Sequence, residues 1–139
     1  MHDRFDLERF VKAQDSVYAQ VLAELRAGRK RSHWMWFIFP QIRGLGASPM
    51  AEKFAISGRE EAVAYLAHPL LGGRLHQCTK LVIAAPQRSI ETILGHPDDL
   101  KFRSSMTLFA KTAADNADFV AALDKYYGGV LDPLTLERL

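Results

Sequence analysis

The sequence predicts a mainly α fold, built as a compact multihelical single domain with short loops over residues 1–139. Two patterns support this fold class. Through most of the chain, apolar residues recur at intervals close to the 3.6-residue period of an α-helix, and helix start and stop residues follow one another closely. Strand-like alternation is confined to a few residues at a time. Met35 to Phe39 is the one segment where a strand stays open as an alternative.

Length and composition are those of one soluble globular domain. A chain of 139 residues with 48% hydrophobic and 24% charged residues is neither disordered nor membrane-spanning. The charge-free stretch Ser32 to Ile42 is shorter than the about 20 apolar residues that cross a bilayer. The charged amino terminus has no secretory apolar core, so a cytoplasmic location without membrane contact is expected. Cys78 is the only cysteine, which excludes an internal disulfide.

The first predicted helix lies near the amino terminus. It begins at Asp6, a residue type that caps helices, and ends at Gly28, a typical stop. Its inner face consists of Leu7, Phe10, Val11, Val17, Tyr18, Val21, Leu22 and Leu25. A basic cluster follows, formed by Arg26, Arg29, Lys30 and Arg31. Positive charge at this place is favourable to the helix dipole, which explains the cluster without any ligand.

Two more helices are predicted before the middle of the chain. Ser48-Pro49 opens a short helix through Phe54, since proline is favoured at a first helical position. Ser57 to Glu60 has the form of a capping box and begins the next helix. His68-Pro69 closes that helix, because proline disfavours a helical conformation in the residue before it.

Four helices and a final short turn are predicted in the second half. Apolar residues from Leu70 to Ala85 recur at helical intervals, although Gly72-Gly73 weakens the first turn by about 1 kcal/mol per glycine. The next helix begins at Ser89 and ends at Gly95, and another begins at Asp98 or Asp99 and ends at about Ala113. The last helix begins at Asn116 and ends at Gly128-Gly129, and Asp132-Pro133 begins the final turn.

Both tryptophans lie in a polar and aromatic segment behind the basic cluster. Its candidate ligand residues are Lys30, Ser32, His33, Trp34, Trp36 and Gln41. Lys30 can attract an anion, His33 is the candidate general acid or base, and either indole can stack on a base or sugar. If Ser32 begins a helical turn, the next free N–H groups can bind phosphate. The alternative is a buried aromatic knot. The predicted core residues are Met35, Phe37, Ile38 and Phe39.

The loop from Gln41 to Ser48 is a second candidate segment. Its Gly44-x-Gly46 pattern is weak evidence for phosphate binding, because no third glycine and no phosphate-loop lysine accompany it. A tight loop explains the glycines equally well. If the loop passes close to a ligand, Arg43 is its natural anion anchor.

The start of the helix after Asp98 is a third candidate segment. Lys101, Ser104 and Ser105 share a helical face through i, i+3 and i+4 spacing, so a cation and two hydroxyls can converge on one ligand. The alternative is that the hydroxyls bond back to preceding carbonyls of their own helix.

No metal site is predicted, and the sequence identifies no cofactor. His68 and His76 are eight residues apart and supply two ligands at most, without a recognisable zinc pattern around them. The helix boundary at Pro69 favours structural roles for this region.

Over nearly its whole length, the chain resembles the bacterial domain-of-unknown-function family 1810. The stretches that carry the resemblance are Asp6 to Phe10, Ala13-Gln14, Gly28 to Gln41, Gly44 to Ser48, Glu61-Ala62, Tyr65 to Pro69, Leu71-Gly72, Arg74-Leu75, and Asp98 with Lys101 to Phe109. The resemblance implies a mainly helical fold but brings no established activity and no catalytic residues. Some members carry the label calpastatin, which does not fit this chain, because such inhibitors are long, disordered and repetitive.

Three functions are compatible with these residues. The leading hypothesis is a cytosolic protein that binds or acts on a small anionic molecule, nucleotide-like or otherwise phosphorylated, in a cleft between helices. The alternative is a non-catalytic protein-interaction or regulatory module anchored by exposed aromatic residues. RNA binding ranks third, because a net charge of +2 is slight. The oligomeric state is undetermined.

The leading hypothesis predicts that side chains from distant segments meet at one cleft. These are Lys30, His33, Gln41, Arg43, Lys101, Ser104 and Ser105. Each stands beside apolar residues expected in the core, which leaves its polar atoms at the rim of that core.

Overall fold

The computed structural model describes residues 3–87 and 89–139, and its regular structure in these ranges confirms the predicted mainly α fold. In chain order the helices are α1 (Glu8–Asp15), α2 (Tyr18–Arg26), α3 (Met35–Ile38), α4 (Pro49–Lys53), α5 (Arg59–Ala67), α6 (Leu71–Ala84), α7 (Ile90–Leu94), α8 (Asp98–Thr112), α9 (Ala117–Tyr127) and α10 (Pro133–Arg138). None of these helices is long and apolar enough to cross a bilayer. The amino-terminal segment used to predict a cytoplasmic location begins with Met1 and His2, which lie outside the described residues.

The single helix predicted from Asp6 to Gly28 is wrong, because two helices occupy this stretch. Asp6 adopts a positive φ of 52°, which takes it out of the capping conformation. The Asp3 carboxylate replaces it and accepts hydrogen bonds from the N–H groups of Leu7 and Glu8, at 2.8 and 3.0 Å. Asp3 therefore satisfies the free donors at the start of α1 from outside the helix.

The capping box predicted at Ser57 to Glu60 is displaced by one residue. Gly58 occupies the N-cap position of α5, so Glu61 becomes the third helical residue. Its carboxylate accepts a hydrogen bond from the Ser57 N–H at 2.9 Å, whereas Glu60 is exposed and pairs with Arg4. A shift of one helical position, about 100° of rotation, explains why Glu61 is buried and Glu60 is not.

Other helix boundaries follow the local rules. The Ser48 hydroxyl accepts a hydrogen bond from the Ala51 N–H at 3.1 Å and caps α4. Gly128 ends α9 in the left-handed conformation, with a φ of 60°. Asn116 takes the N-cap position of α9, but its side chain donates to the Ala110 carbonyl at 2.9 Å rather than capping the helix.

The aromatic segment lies in the core as a short helix, not as a strand. All residues of Met35 to Phe39 are buried except Trp36, which is partly exposed. The ring centroids of Phe39 and Phe102 are 4.9 Å apart in an edge-to-face arrangement. This contact holds the segment that follows the basic cluster against the first half of α8. Around it, α8 packs on α5, α7, α9 and α10, while α6 packs on α2, α5 and α9.

Replacing Phe39 by alanine should lower the free energy of unfolding by about 3 to 5 kcal/mol, since a fully buried ring is removed. Urea denaturation measures this loss. Val63, which is 47% exposed on α5, is the surface control, and its replacement by alanine should change stability by about 0.5 kcal/mol or less. A loss below about 1 kcal/mol for Phe39→Ala would contradict the central position of the aromatic segment.

Candidate functional site

A cavity of about 410 Å³ opens between the loop that follows the aromatic segment and the first half of α8. We call it the α8 cavity. Its lining residues are Gln41, Leu45, Gly46, Ala47, Ser48, Ala51, Pro97, Leu100, Lys101, Arg103, Ser104, Asp132 and Leu134. This volume lies within the range of small-molecule sites, and the lining combines an apolar majority with a few polar groups, as such sites do.

The loop wall of the α8 cavity is held by backbone pairing. Ile42 and Ile56 form an isolated bridge, in which Arg43 N–H donates to the Ile56 carbonyl at 2.8 Å and Ile56 N–H donates to the Gln41 carbonyl at 2.9 Å. The backbone of Gln41 is thereby anchored, and its side chain is left at the cavity. A Cβ atom at Gly46 would lie 2.8 Å from the Ala51 Cβ, so only glycine allows the loop to approach α4 this closely.

The helical wall consists of one face of α8. Leu100, Lys101 and Ser104 are spaced so that they project to the same side of the helix. The Lys101 ammonium lies 3.7 Å from an oxygen of Asp98 and 5.1 Å from the centroid of the Trp36 ring. The other Asp98 oxygen is 2.9 Å from the Lys30 ammonium. Two lysines thus share one carboxylate, which leaves an excess positive charge at this wall.

The floor of the cavity is formed where α8 meets the segment before α10. The Asp132 carboxylate accepts hydrogen bonds from the hydroxyls of Ser104 and Thr135, at 2.8 and 2.6 Å. Burial alone would raise the pKa of Asp132, but the hydrogen bonds from Thr135 and Ser104 outweigh it and lower the pKa below its ordinary value. Arg103 donates to the carbonyls of Val130 and Leu131, at 2.9 and 2.8 Å, and this fixes its guanidinium beside the floor.

Three of the side chains predicted to share a cleft do line the α8 cavity together: Gln41, Lys101 and Ser104. Trp36 lies behind them, in a narrow crevice that also includes Gln41, and carries the Lys101 ammonium over its ring. Lys30 is connected to the cavity wall through Asp98 but does not line the cavity. The segment after the basic cluster and the start of α8 therefore do meet.

Ser32 and Trp34 have a different role from the one predicted, because both bind the carboxylate of Glu24. One Glu24 oxygen accepts hydrogen bonds from the N–H groups of Arg31 and Ser32, at 2.7 and 3.0 Å, and from the Trp34 indole at 3.0 Å. The other accepts from the Ser32 hydroxyl at 2.6 Å and from the Gln20 amide at 3.0 Å. The polar atoms of the Ser32 and Trp34 side chains are thus occupied by an internal carboxylate.

The environment of Glu24 favours the charged carboxylate. Burial would raise its pKa, but the hydrogen bonds from the Ser32 hydroxyl, the Arg31 and Ser32 N–H groups and the Trp34 indole outweigh burial and lower the pKa to about 2. Trp34 is only 1% exposed, so its indole cannot stack on a base or anchor a protein partner. The protein-interaction and RNA-binding hypotheses both require exposed indoles, and Trp34 does not provide one.

Ser105, Arg43 and His33 do not join the α8 cavity. Ser105 is fully buried, and its hydroxyl has no hydrogen-bond partner among the described residues. Successive helical residues are rotated by about 100°, so Ser104 faces the cavity while Ser105 faces the core. Arg43 is exposed beside Glu52, in a separate surface depression. His33 is exposed and is not among the residues that line the α8 cavity.

The histidines considered as metal ligands make structural contacts. The Nδ1 atom of His68 accepts hydrogen bonds from the N–H groups of Leu70 and Leu71, at 3.1 and 3.3 Å. The Nδ1 atom of His76 lies 2.8 Å from an Asp118 oxygen. Across residues 3–87 and 89–139, no group of three or more potential ligand side chains is placed to hold a metal ion.

Arg103 and Asp132 are cavity residues that the sequence did not single out. Arg103 lies inside the third candidate segment, between Lys101 and Ser104. The only feature of the sequence that indicates its place at an anion site is its guanidinium. Asp132 was interpreted only as a helix start before Pro133. A carboxylate at a helix start carries no sign that it faces a cavity, because that depends on α10 packing against α8.

The whole chain is similar to known proteins. A crystal structure of the conserved hypothetical protein Rv1873 from Mycobacterium tuberculosis matches it with a TM-score of 0.97 and 63% sequence identity, covering 99% of this chain and 98% of that chain. No curated protein matches. The family model described as "Protein of unknown function (DUF1810)" matches residues 4–139. A match of this extent shows that the chain belongs to the DUF1810 family.

Proposed function

We propose that the protein is a cytosolic binding protein for a small anionic molecule, nucleotide-like or otherwise phosphorylated, and that the α8 cavity is its site. The observation that carries this proposal is the position of Lys101. Its ammonium lines a cavity of about 410 Å³ and is 3.7 Å from Asp98, which makes a shorter contact, 2.9 Å, with Lys30. Lys101 therefore keeps donors for a further anion.

The other cavity groups support the same ligand class. Arg103 places a second cation at the floor, and its partners there are backbone carbonyls rather than a carboxylate. Gln41 adds an amide that can donate a hydrogen bond. Among the described lining residues, Lys101 and Arg103 are positively charged and Asp132 alone is negatively charged. Apolar contacts from Leu45, Leu100 and others can enclose the uncharged part of a ligand.

Replacing Lys101 by alanine should weaken the binding of a phosphorylated ligand about tenfold, because a charge-assisted hydrogen bond is lost. A thermal-shift screen of nucleotides, sugar phosphates and inorganic phosphate finds the ligand, since a compound at 100 times its dissociation constant stabilises the fold by about 2.7 kcal/mol. Isothermal titration then compares the variants. Affinity should also fall with added salt, because exposed charges are screened over about 8 Å at physiological ionic strength.

Lys111→Ala is the matched control, because Lys111 is an exposed lysine on the same helix and is not among the lining residues. It should bind the ligand as the wild type does. Equal affinity of the wild type and Lys101→Ala for every phosphorylated compound that binds would contradict the proposal. Failure of all compounds to shift the melting temperature would contradict it as well.

A further inference from the structure

We propose that the α8 cavity selects a small anion that also carries an amino or hydroxyl group, joined to its negatively charged group by a short spacer. This inference rests on the proposed function, since it specifies the ligand of the same cavity. It follows from the hydrogen-bonding capacity of two pairs of lining side chains: Lys101 and Gln41 can donate to a ligand, whereas Ser104 and Asp132 can only accept from it.

Ser104 belongs to the accepting end. Its hydroxyl oxygen lies 2.8 Å from an oxygen of Asp132 and 3.2 Å from the Leu100 carbonyl oxygen. A serine hydroxyl has one proton, and both of these neighbours are acceptors that compete for it. Ser104 therefore cannot donate to a ligand without losing an internal hydrogen bond. It offers the ligand only its lone pairs.

Asp132 makes the same end more strongly accepting. Its carboxylate is buried at the floor and receives the hydroxyls of Ser104 and Thr135. An ionised carboxylate has about four lone-pair positions and no proton to give. A ligand group that enters this end must supply the proton of the hydrogen bond, which an amino group or a hydroxyl does and a phosphate oxygen does not.

The donating end lies one helical turn back along α8. The Lys101 ammonium has three protons, and the partly buried Gln41 amide has two. Lys101 and Ser104 are three residues apart on one face of α8, so their Cβ atoms are about 5 to 6 Å apart. Both ends therefore lie within reach of one small ligand, in which a short spacer joins the anionic group to the donor group.

Charge decides which donor is preferred. Lys101 carries a positive charge at the donating end, and at the floor Asp132 carries a negative charge beside Arg103, whose guanidinium is bound to the carbonyls of Val130 and Leu131. An ammonium group beside Asp132 is attracted to the carboxylate in a partly desolvated place, whereas a hydroxyl gains only the hydrogen bond. The preferred order is therefore an anion with an amino group, then one with a hydroxyl, then one with neither.

Three phosphates that share a two-carbon chain test this order: 2-aminoethyl phosphate, 2-hydroxyethyl phosphate and ethyl phosphate. Isothermal titration of the wild-type protein at pH 7.5 should give at least about a tenfold tighter dissociation constant for the amino compound than for ethyl phosphate, with the hydroxyl compound between them. Equal affinities for the three probes overturn this inference and leave the proposed function standing. Absence of binding by all three overturns the inference too.

Two variants separate a ligand contact from a structural role. Ser104→Ala removes a lining hydroxyl, while Thr135→Val removes the other hydroxyl bound to Asp132 and is not among the lining residues. Ser104→Ala should reduce the preference for the donor-bearing probes, and Thr135→Val should retain it. Each protein is compared with itself across the three probes, so a moderate loss of stability does not alter the ratio. Equal loss of preference in both variants overturns the role assigned to Ser104.

Discussion

Replacing Gly72 by alanine is expected to lower the free energy of unfolding by about 3 kcal/mol, while the same change at Gly73 should raise it by about 1 kcal/mol. A Cβ atom at Gly72 would overlap the backbone carbonyl of Leu66, where the chain turns from α5 into α6. Backbone atoms cannot move aside as a flexible side chain does, so α5 and α6 must move apart. At Gly73 a Cβ atom meets nothing within 4 Å.

Urea denaturation of the two variants measures this difference. The two glycines are adjacent in α6, so each variant serves as the control for the other, and helix propensity favours alanine equally at both. Similar stabilities for the two variants would contradict the close approach of Gly72 to the end of α5.

Replacing Glu24 by alanine should destabilise the protein by about 3 kcal/mol, which lowers the melting temperature by roughly 10 °C. The carboxylate receives five hydrogen bonds, four from Arg31, Ser32 and Trp34 and one from the Gln20 amide, and the Trp34 indole is buried. Without it, these donors lose their common acceptor, and buried donors without a partner are costly. Glu137, an exposed residue of α10, is the control, and its replacement should have little effect.

The contribution of Glu24 to the free energy of unfolding should also fall as the pH is lowered. The pKa of its carboxyl is about 2 in the folded protein, whereas an unperturbed glutamate has a pKa of 4.5. Because the folded-state pKa is the lower one, the stabilisation is present above about pH 4.5 and is lost as the pH falls towards 2. The stability difference between the wild type and Glu24→Gln should therefore shrink between pH 5 and about pH 3. A constant difference across this window would contradict the role of the charged carboxylate.

The helices and much of the core could be predicted from the sequence, because their signals are local. Capping at Ser48 and the stop at Gly128 depend on residues within about one helical turn, and burial of Phe39 follows from its apolar surroundings. Local rules were less reliable where several capping residues stand together. They predict Asp6 instead of Asp3 as the cap of α1, and Glu60 instead of Glu61 as the glutamate of the capping box.

The candidate site was predicted only in part. Gln41, Lys101 and Ser104 were named as ligand candidates and line one cavity, whereas Ser32 and Trp34 turned out to bind Glu24. An internal carboxylate competes with an external anion for the same donors, and the sequence does not show which of the two occupies them.

By itself, the sequence determined the mainly α fold and the burial of the aromatic segment, since hydrophobic periodicity and caps act over a few residues. Tertiary structure decided which polar groups face the α8 cavity and which are used inside the fold. The same packing explains why Gly72, a weakness in an isolated helix, is required at the corner with α5. Such outcomes depend on contacts between segments far apart in the chain, and a hydrogen-bond donor or a small residue carries no local signal of the neighbour that packing will bring to it.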